Sequence, residues 1–373
     1  MTPRIPLAKP EITESDIQAV LAVLRTTQLS MGPKLAEFEE SICAYLKIPY
    51  AVAVNSGTAA LHLALKTLNI PEGSEVILPS FTFIAPLNVL LQERLRPVFV
   101  DIEASTFNVD PSSVEAAITS RTKAIIAVHT FGRPVQADRL RSIAERHDIA
   151  LIEDACEALG AEVNDQKVGT FGDAGALAFY PNKQITTGEG GVFLTKNKAL
   201  AERARRLRNQ GRDSTLDWYQ HTEIGYSYRL SEMNCALGIE QLRRIEQIIQ
   251  RRQAVAEIYE DKLRHLPNVI LPKQIVGRNR ISWFCYVVKL SEEFNLAARD
   301  CIANSLAKKG IGTGRYFAPL HHQPVIKNLG YKSELPVTDS VACRALALPF
   351  FNQLTESEVQ EVCDALQESL TKL

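Results

Sequence analysis

The residues best placed to do chemistry lie in the stretch Gly175–Thr195, GALAFYPNKQITTGEGGVFLT. Two short apolar runs, Ala176–Phe179 and Val192–Leu194, read as buried strands bounded by turn residues. Between them stand one lysine, Lys183, then Thr186, Thr187 and a Gly188-Glu189-Gly190-Gly191 turn. A lysine flanked by core strands is held near the interior, where a desolvated amine is a nucleophile fit to form a Schiff base with a carbonyl. The glycines let the backbone turn sharply and approach a ligand closely. The same pattern also fits a hairpin whose lysine points into water.

Three further groups fall just after apolar runs. Ala51–Val54 is followed by Asn55-Ser56-Gly57-Thr58, which opens a helix through Leu68. A strand delivering small hydroxyl residues and glycine to a helix N-terminus makes an anion site from free N–H groups and the helix dipole. Alternatively, Ser56 or Thr58 is only the cap of that helix. Glu75–Pro79 leads to Thr82 and Phe83, and Ile149–Ile152 ends in Glu153-Asp154.

These positions need elements to hold them. Thr13–Asp16 reads as a helix start, and a second helix runs from about Lys34 to Leu46; between them the Ser30–Pro33 loop either touches a substrate or is a plain connector. From Tyr50 the chain alternates strand and helix, which predicts an α/β fold with a mainly parallel sheet sandwiched by helices. Ligands of such sheets bind at the carboxyl ends of the strands, where Ser56–Thr58, Thr82–Phe83 and Glu153–Asp154 all fall. A long helix is expected from Ser231 through Ile248. Beyond about Asn268 the pattern changes to Trp283–Leu290 as a strand, a helix over Leu296–Lys309, the segment Ile311–Phe317 and a closing helix over Glu356–Leu370, a compact α+β unit. The expected division is a large domain over 1–250 and a smaller C-terminal α+β domain over 251–373.

Composition narrows the function. A formal net charge of -1 over 373 residues gives no reason to expect nucleic acid or an anionic membrane as partner. The N-terminal stretch carries no apolar signal core and no run approaches a membrane span, so a cytoplasmic protein is expected. Seven scattered cysteines without C-x-x-C spacing argue for reduced thiols rather than disulfides or zinc. The one near-match to a dinucleotide-binding glycine turn, Gly188-Glu189-Gly190, has Phe193 where the third glycine belongs. His321 and His322 are adjacent, so in an extended chain they point to opposite sides, and no H-E-x-x-H helix exists; no metal is expected.

A lysine for a Schiff base, a helix N-terminus for a phosphate, an aromatic for a ring face and a strand-end carboxylate together suit pyridoxal 5'-phosphate. At this point the sequence resembles the DegT/StrS-type (DegT/DnrJ/StrS) sugar aminotransferases, of the fold type I pyridoxal phosphate architecture. The resemblance runs nearly end to end through Phe38-Glu39, NSGTAALHLAL (Asn55–Leu65), GSEVILPSFTF (Gly73–Phe83), PVFVDI (Pro97–Ile102), IEDACEALGA (Ile152–Ala161), the lysine stretch, GYSYRLSEMNCALG (Gly225–Gly238) and YFAPLHHQP (Tyr316–Pro324).

By position, the resemblance implies that Lys183 holds the cofactor and later moves the proton, that Asp154 partners the ring nitrogen, that Phe83 stacks on the ring, and that Gly57 and Thr58 cradle the phosphate. Glu157 falls where glutamine or histidine is usual near the ring hydroxyl. Ser227, in a Tyr226–Arg229 loop that in the family reaches the neighbouring subunit's site, replaces a common asparagine; this implies a homodimer with shared active sites. His321 falls where relatives line the substrate pocket, although it fits ordinary loop packing equally; Ser30, in the entry loop, and Tyr316 are the other substrate-binding candidates. Many relatives carry serine where Ala178 stands, so one phosphate hydrogen bond, worth roughly 1 kcal/mol, is expected to be missing. The implied reaction moves an amino group from an amino acid, glutamate, to a keto sugar of a nucleoside diphosphate. Amination of a keto-cyclitol is the neighbouring alternative. A non-enzymatic regulator is another, against which the intact Lys183/Asp154 pair argues.

Overall fold

The structure, a computed structural model, describes residues 3–213, 220–273 and 277–372. Helices α1 (Glu14–Leu24) and α2 (Pro33–Leu46) precede strand β1 (Tyr50–Val54). There follow α3 (Gly57–Thr67), β2 (Glu75–Pro79), α4 (Ala85–Gln92), β3 (Arg96–Val100), α5 (Pro111–Ala116), β4 (Thr122–Val128), α6 (Ala137–Arg146) and β5 (Ala150–Asp154). A small ribbon, β6 (Glu162–Val163) and β7 (Gln166–Lys167), leads to β8 (Ala174–Ala178) and β9 (Gly191–Thr195), and then to α7 (Lys198–Arg208).

The main sheet has the order β1-β9-β8-β5-β4-β2-β3. Only β9 runs against its neighbours. Six carboxyl ends and the amino end of β9 therefore meet at one edge. Side chains alternate between the faces, as the period of two requires. Leu151, Leu177, Val192 and Leu194 join the core under α2 and α6, whereas Ile152, Ala176 and Phe193 join the core under α3, α4 and α7. The fold class expected from the alternating text is the one observed.

Helices α8 (Glu232–Arg243) and α9 (Ile245–Leu263) replace the single long helix expected after Ser231. The break is at Arg244, whose guanidinium reaches Glu11 at 3.2 Å and the buried Asp16 at 2.7 Å. Apolar spacing continues through the break, so periodicity could not reveal it; the ion pairs to the chain's beginning could not be read from spacing. Ile245, Ile248 and Ile249 of α9 pack in the first core, while Val255, Ala256, Tyr259 and Leu263 pack in another. That other core belongs to a three-stranded sheet of β10 (Val269–Ile270), β11 (Tyr286–Leu290) and β12 (Ala345–Leu348). It is covered by α10 (Leu296–Lys308) and α13 (Glu356–Thr371) and also takes in Ile5. Two short helices, α11 (Pro324–Asn328) and α12 (Pro336–Arg344), lie between α10 and β12.

The segment Ile311–Phe317 makes only isolated bridges, Ile311 with Ile5 and Gly314 with Ala347. The third strand is Ala345–Leu348, four small or medium residues directly after a helix, which sequence reasoning passed over. All seven cysteines are free. Among the described residues no helix is long and apolar enough to cross a membrane.

The C-terminal sheet is locked to the main one by Asp101, just after β3. Its carboxylate accepts the N–H groups of Val337 (2.9 Å) and Thr338 (2.7 Å) and the Thr338 hydroxyl (2.7 Å), supplying the cap that α12 lacks locally.

Candidate active site

At the shared strand edge lies a cavity of about 490 Å³. Gly57, Thr58, Phe83, Asp154, Glu157, Lys183 and Tyr316 line it, so the fold brings together seven of the residues singled out in the sequence. Tyr180, Asn182, Phe284 and Phe317 also line it. Sequence reasoning missed these four: apolar or turn residues in ordinary-looking segments give no chemical signal, although Asn182 adjoins the lysine.

Lys183 sits in the connection between β8 and β9, whose ends are tied by Phe179 N–H to Gly190 O (2.9 Å) and Thr187 N–H to Phe179 O (3.0 Å). Gln184 anchors the same connection by donating to Glu157 O (2.6 Å) and Ser282 O (2.7 Å). The lysine side chain is only 13% exposed, which discards the solvent-facing hairpin. Its Nζ lies 3.5 Å from Glu157 Oε1 and 4.1 Å from the centre of the Phe284 ring. Arg252, buried on α9, donates to Trp283 O and Phe284 O at 3.1 Å and to Lys183 O at 3.4 Å, binding the lysine loop to the Phe284 strand approach. Burial lowers this guanidinium to about 10.

Asp154 ends β5 on the α3 face, with the parity of Ile152. Cys156 N–H donates to its Oδ1 at 3.1 Å. Glu153 has the opposite parity and turns away from the cavity. It accepts Gly169 N–H (2.8 Å), Phe171 N–H (2.6 Å), Gly172 N–H (2.7 Å) and, at 3.0 Å, His129 Nε2. His129 Nδ1 accepts Val135 N–H at 3.1 Å, which assigns the ring proton to Nε2. Glu157 is also buried, and burial pushes its carboxyl above the usual range despite Lys183 and the Phe131 N–H that donates to it at 3.0 Å. Tyr316 is pushed by burial up to about 12, which makes it a hydrogen-bond donor rather than a base. Burial and the neighbouring Asp154 hold the Cys156 thiol far above its usual range, so it stays protonated.

Ser56 proves to be the cap of α3, accepting Ala59 N–H at 3.1 Å. The helix nonetheless opens onto the cavity through Gly57 and Thr58. A Cβ on Gly57 would stand 2.7 Å from Ala178 Cβ and 2.9 Å from Cys156 Sγ, and one on Gly191 would stand 2.3 Å from Ser56 O. Only glycine permits so close an approach of helix and strands. The result is a cradle of backbone N–H groups at a positive helix end.

Three expected residues lie elsewhere in this chain. Ser30 is exposed and bridges to Ser231; its loop is held by buried Glu232, which accepts the N–H groups of Gly32 (2.9 Å), Lys34 (2.7 Å) and Leu35 (3.0 Å). Ser227 is exposed, while Tyr226 and Tyr228 on either side stack at 4.8 Å and pack against His62 of α3. His321 is buried behind the cavity wall, its Nδ1 2.7 Å from Ser80 Oγ. The expectation that His321 and His322 point apart is corrected: the pair lies in a 3-10 turn, Leu320–His322, and both rings face Asp339. A tight turn, unlike an extended chain, puts neighbouring side chains on adjacent positions of one rim.

The cavity suits pyridoxal phosphate on its own geometry. A buried amine 3.5 Å from one carboxylate, a strand-end carboxylate accepting one backbone N–H, an open-faced Phe83 (61% exposed) and a Cβ-free helix start are the donor set that cofactor requires. Comparison with known proteins agrees. Residues 10–367 match the DegT/DnrJ/EryC1/StrS aminotransferase family. The GDP-perosamine synthase of Caulobacter vibrioides is 37% identical, with 99% of each chain covered. Helicobacter pylori PseC, an aminotransferase involved in the biosynthesis of pseudoaminic acid, superposes with a TM-score of 0.93 at 28% identity, covering 99% of this chain and 100% of that one. Spr1654 of Streptococcus pneumoniae in its PLP form superposes with a TM-score of 0.94 at 29% identity, with 99% of each chain covered. The chain thus belongs to the DegT/DnrJ/EryC1/StrS aminotransferase family and is an aminotransferase dependent on pyridoxal phosphate.

Proposed function

We propose that the enzyme transfers an amino group from glutamate to a keto sugar carried on a nucleoside diphosphate, and that the first acceptor to test is GDP-linked. The observation that carries this reading is the meeting of Lys183, Asp154 and the amino end of α3 around one cavity. The 37% identity to a GDP-perosamine synthase supports the choice of nucleotide.

When bound, pyridoxal phosphate supplies an aldehyde that condenses with amines and a ring that accepts electrons from a deprotonated carbon. Lys183 Nζ would hold it and, once freed, would be the base that takes a proton from the donor carbon and returns one to the acceptor carbon. Glu157 Oε1 and the Phe284 ring keep that nitrogen against one wall. Asp154 keeps the ring nitrogen protonated, Phe83 offers an aromatic face, and Gly57 and Thr58 bind the phosphate. Tyr316 donates a hydrogen bond to the acceptor. Ser227, exposed between two anchored tyrosines, serves the partner subunit's cavity in a homodimer. The division at residue 250 into a cofactor-binding and a C-terminal domain belongs to this reading; the change of core between Ile249 and Val255 supports it. The cytoplasm, where nucleotide sugars and glutamate are available, is the proposed location.

The test is the visible absorption of the cofactor-loaded protein beside Lys183→Ala. A band that requires Lys183, is bleached by glutamate and returns with a GDP-linked keto sugar is expected. No lysine-dependent band in the loaded wild type overturns the assignment of Lys183. A band indifferent to glutamate overturns the donor, and one restored only by a keto-cyclitol replaces the acceptor.

A further inference from the structure

A few residues beyond Tyr316 and Phe317 in the chain, three side chains from two elements converge, and none of them lines the cavity. The 3-10 turn Leu320–His322 supplies two imidazoles, and α12 supplies Asp339. The ring centres of His321 and His322 are 3.9 Å apart. One ligand atom from each of the three residues falls within a cluster no wider than 4.8 Å. His321 is only 6% exposed, and its Nε2 is buried without a hydrogen-bond partner, although Asp339 Oδ1 lies 3.2 Å away. That carboxylate oxygen is instead aligned with His322 Nε2 at 2.7 Å. A buried imidazole nitrogen aimed at an oxygen it does not bond is a cost unless a third body stands between them.

We propose that His321 Nε2, His322 Nε2 and Asp339 Oδ1 form a binding site for one zinc-class divalent cation. Two imidazoles and one carboxylate are donors for a first-row transition ion rather than for magnesium or calcium. Zinc bonds of about 2.0–2.2 Å in a tetrahedron set neighbouring ligand atoms roughly 3.3 Å apart. The 3.2 Å separation already meets that spacing; binding a metal in place of the hydrogen bond must open the 2.7 Å edge and draw together the two imidazoles, which lie within the 4.8 Å cluster.

The supports are built in. Ser80 Oγ lies 2.7 Å from His321 Nδ1 and accepts His321 N–H at 3.1 Å, which fixes the ring as a second-shell partner does for a metal-bound imidazole. Asp339 rides on a helix whose amino end is pinned by Asp101. The side chains of His322 and Asp339 are 50% and 41% exposed, leaving an entry path and room for water as the fourth ligand. Such an ion would join the end of β2 at Ser80, the turn and α12 at one point.

The test uses the cofactor-loaded enzyme, freed of metal by chelator dialysis. Equilibrium dialysis with Zn²⁺ should give one ion per chain, and Mg²⁺ none. His322→Ala, at an exposed position, and Asp339→Asn, at a half-exposed one, should each weaken Zn²⁺ binding roughly 100-fold or more, and Ser80→Ala about 10–100-fold. Because seven cysteines are free, Co²⁺ serves as the second probe: nitrogen and oxygen ligation gives visible bands without thiolate charge transfer, and the bands should vanish in both ligand variants. A wild type that binds neither ion overturns the proposal. Binding that persists in His322→Ala and Asp339→Asn, or that carries a thiolate signature, overturns it as well.

Discussion

The two faces of β5 end in adjacent carboxylates with opposite fates. On one face Glu153 is wholly buried and receives three backbone N–H groups and His129 Nε2. On the other, Asp154 receives its hydrogen bonds from Cys156 alone among the described residues, the N–H at 3.1 Å and the thiol, and looks into the cavity beside Lys183 and Glu157. Hydrogen-bond saturation separates them: a filled carboxylate holds structure, and an unfilled one is available to a ligand. Burial alone would raise the Glu153 carboxyl, but His129 and the N–H groups of Gly172 and Gly169 outweigh it and leave it below its ordinary range. No such shell surrounds Glu157, which burial leaves raised.

This contrast can be broken first on the filled side. Glu153→Gln places an amide among donors and should cost about 3–5 kcal/mol of unfolding free energy, read by urea denaturation, while the folded fraction keeps its capacity to bind cofactor. A loss under 1 kcal/mol would mean that saturation is not what Glu153 contributes. On the open side, Asp154→Asn should leave the urea midpoint within error and lower kcat/KM by the worth of a charge-assisted hydrogen bond, about 1.5–3 kcal/mol or roughly 10–150-fold. Equal effects of the two substitutions on stability would erase the distinction.

How much of this was legible beforehand follows from the same strand. The apolar run and its terminal carboxylates placed a strand end at a ligand edge, and the lysine stretch announced a nucleophile. Which carboxylate faced the cavity depended on parity relative to α3, which in turn depended on where every helix packs. Ala178→Ser sharpens the cavity side further. The added hydroxyl, facing Gly57, should tighten cofactor affinity by about 1 kcal/mol, measured by fluorescence titration of the cofactor-free protein. No change would show that backbone N–H groups already satisfy the phosphate.

The smallest effect is one of sign. Glu157 is raised on folding, so its favourable contribution is complete below the unfolded carboxyl value near 4.5 and is lost as pH rises through the folded value. Cofactor-free Glu157→Gln should therefore gain stability relative to wild type as pH rises above about 4.5. Glu153, lowered on folding, behaves oppositely: its contribution is present above 4.5 and lost as pH falls through the folded value. In thermal melts the Glu157 variant's difference from wild type should therefore change above about pH 4.5, and the Glu153 variant's difference below it.

By itself the sequence determined the alternation of strands and helices, the lysine loop, the helix start at Gly57 and the donor types a pyridoxal phosphate site needs. Local spacing carries these, because periodicity, turn residues and nucleophile types are properties of short segments. Only tertiary structure decided which face each carboxylate took, that Arg252 ties Lys183 to Phe284, that Glu232 holds the Ser30 loop, and that His321 and His322 share Asp339. Each of those contacts joins residues far apart in the chain or depends on a turn's handedness. Their partners are chosen by how the two cores pack together, a choice that no single stretch of sequence contains.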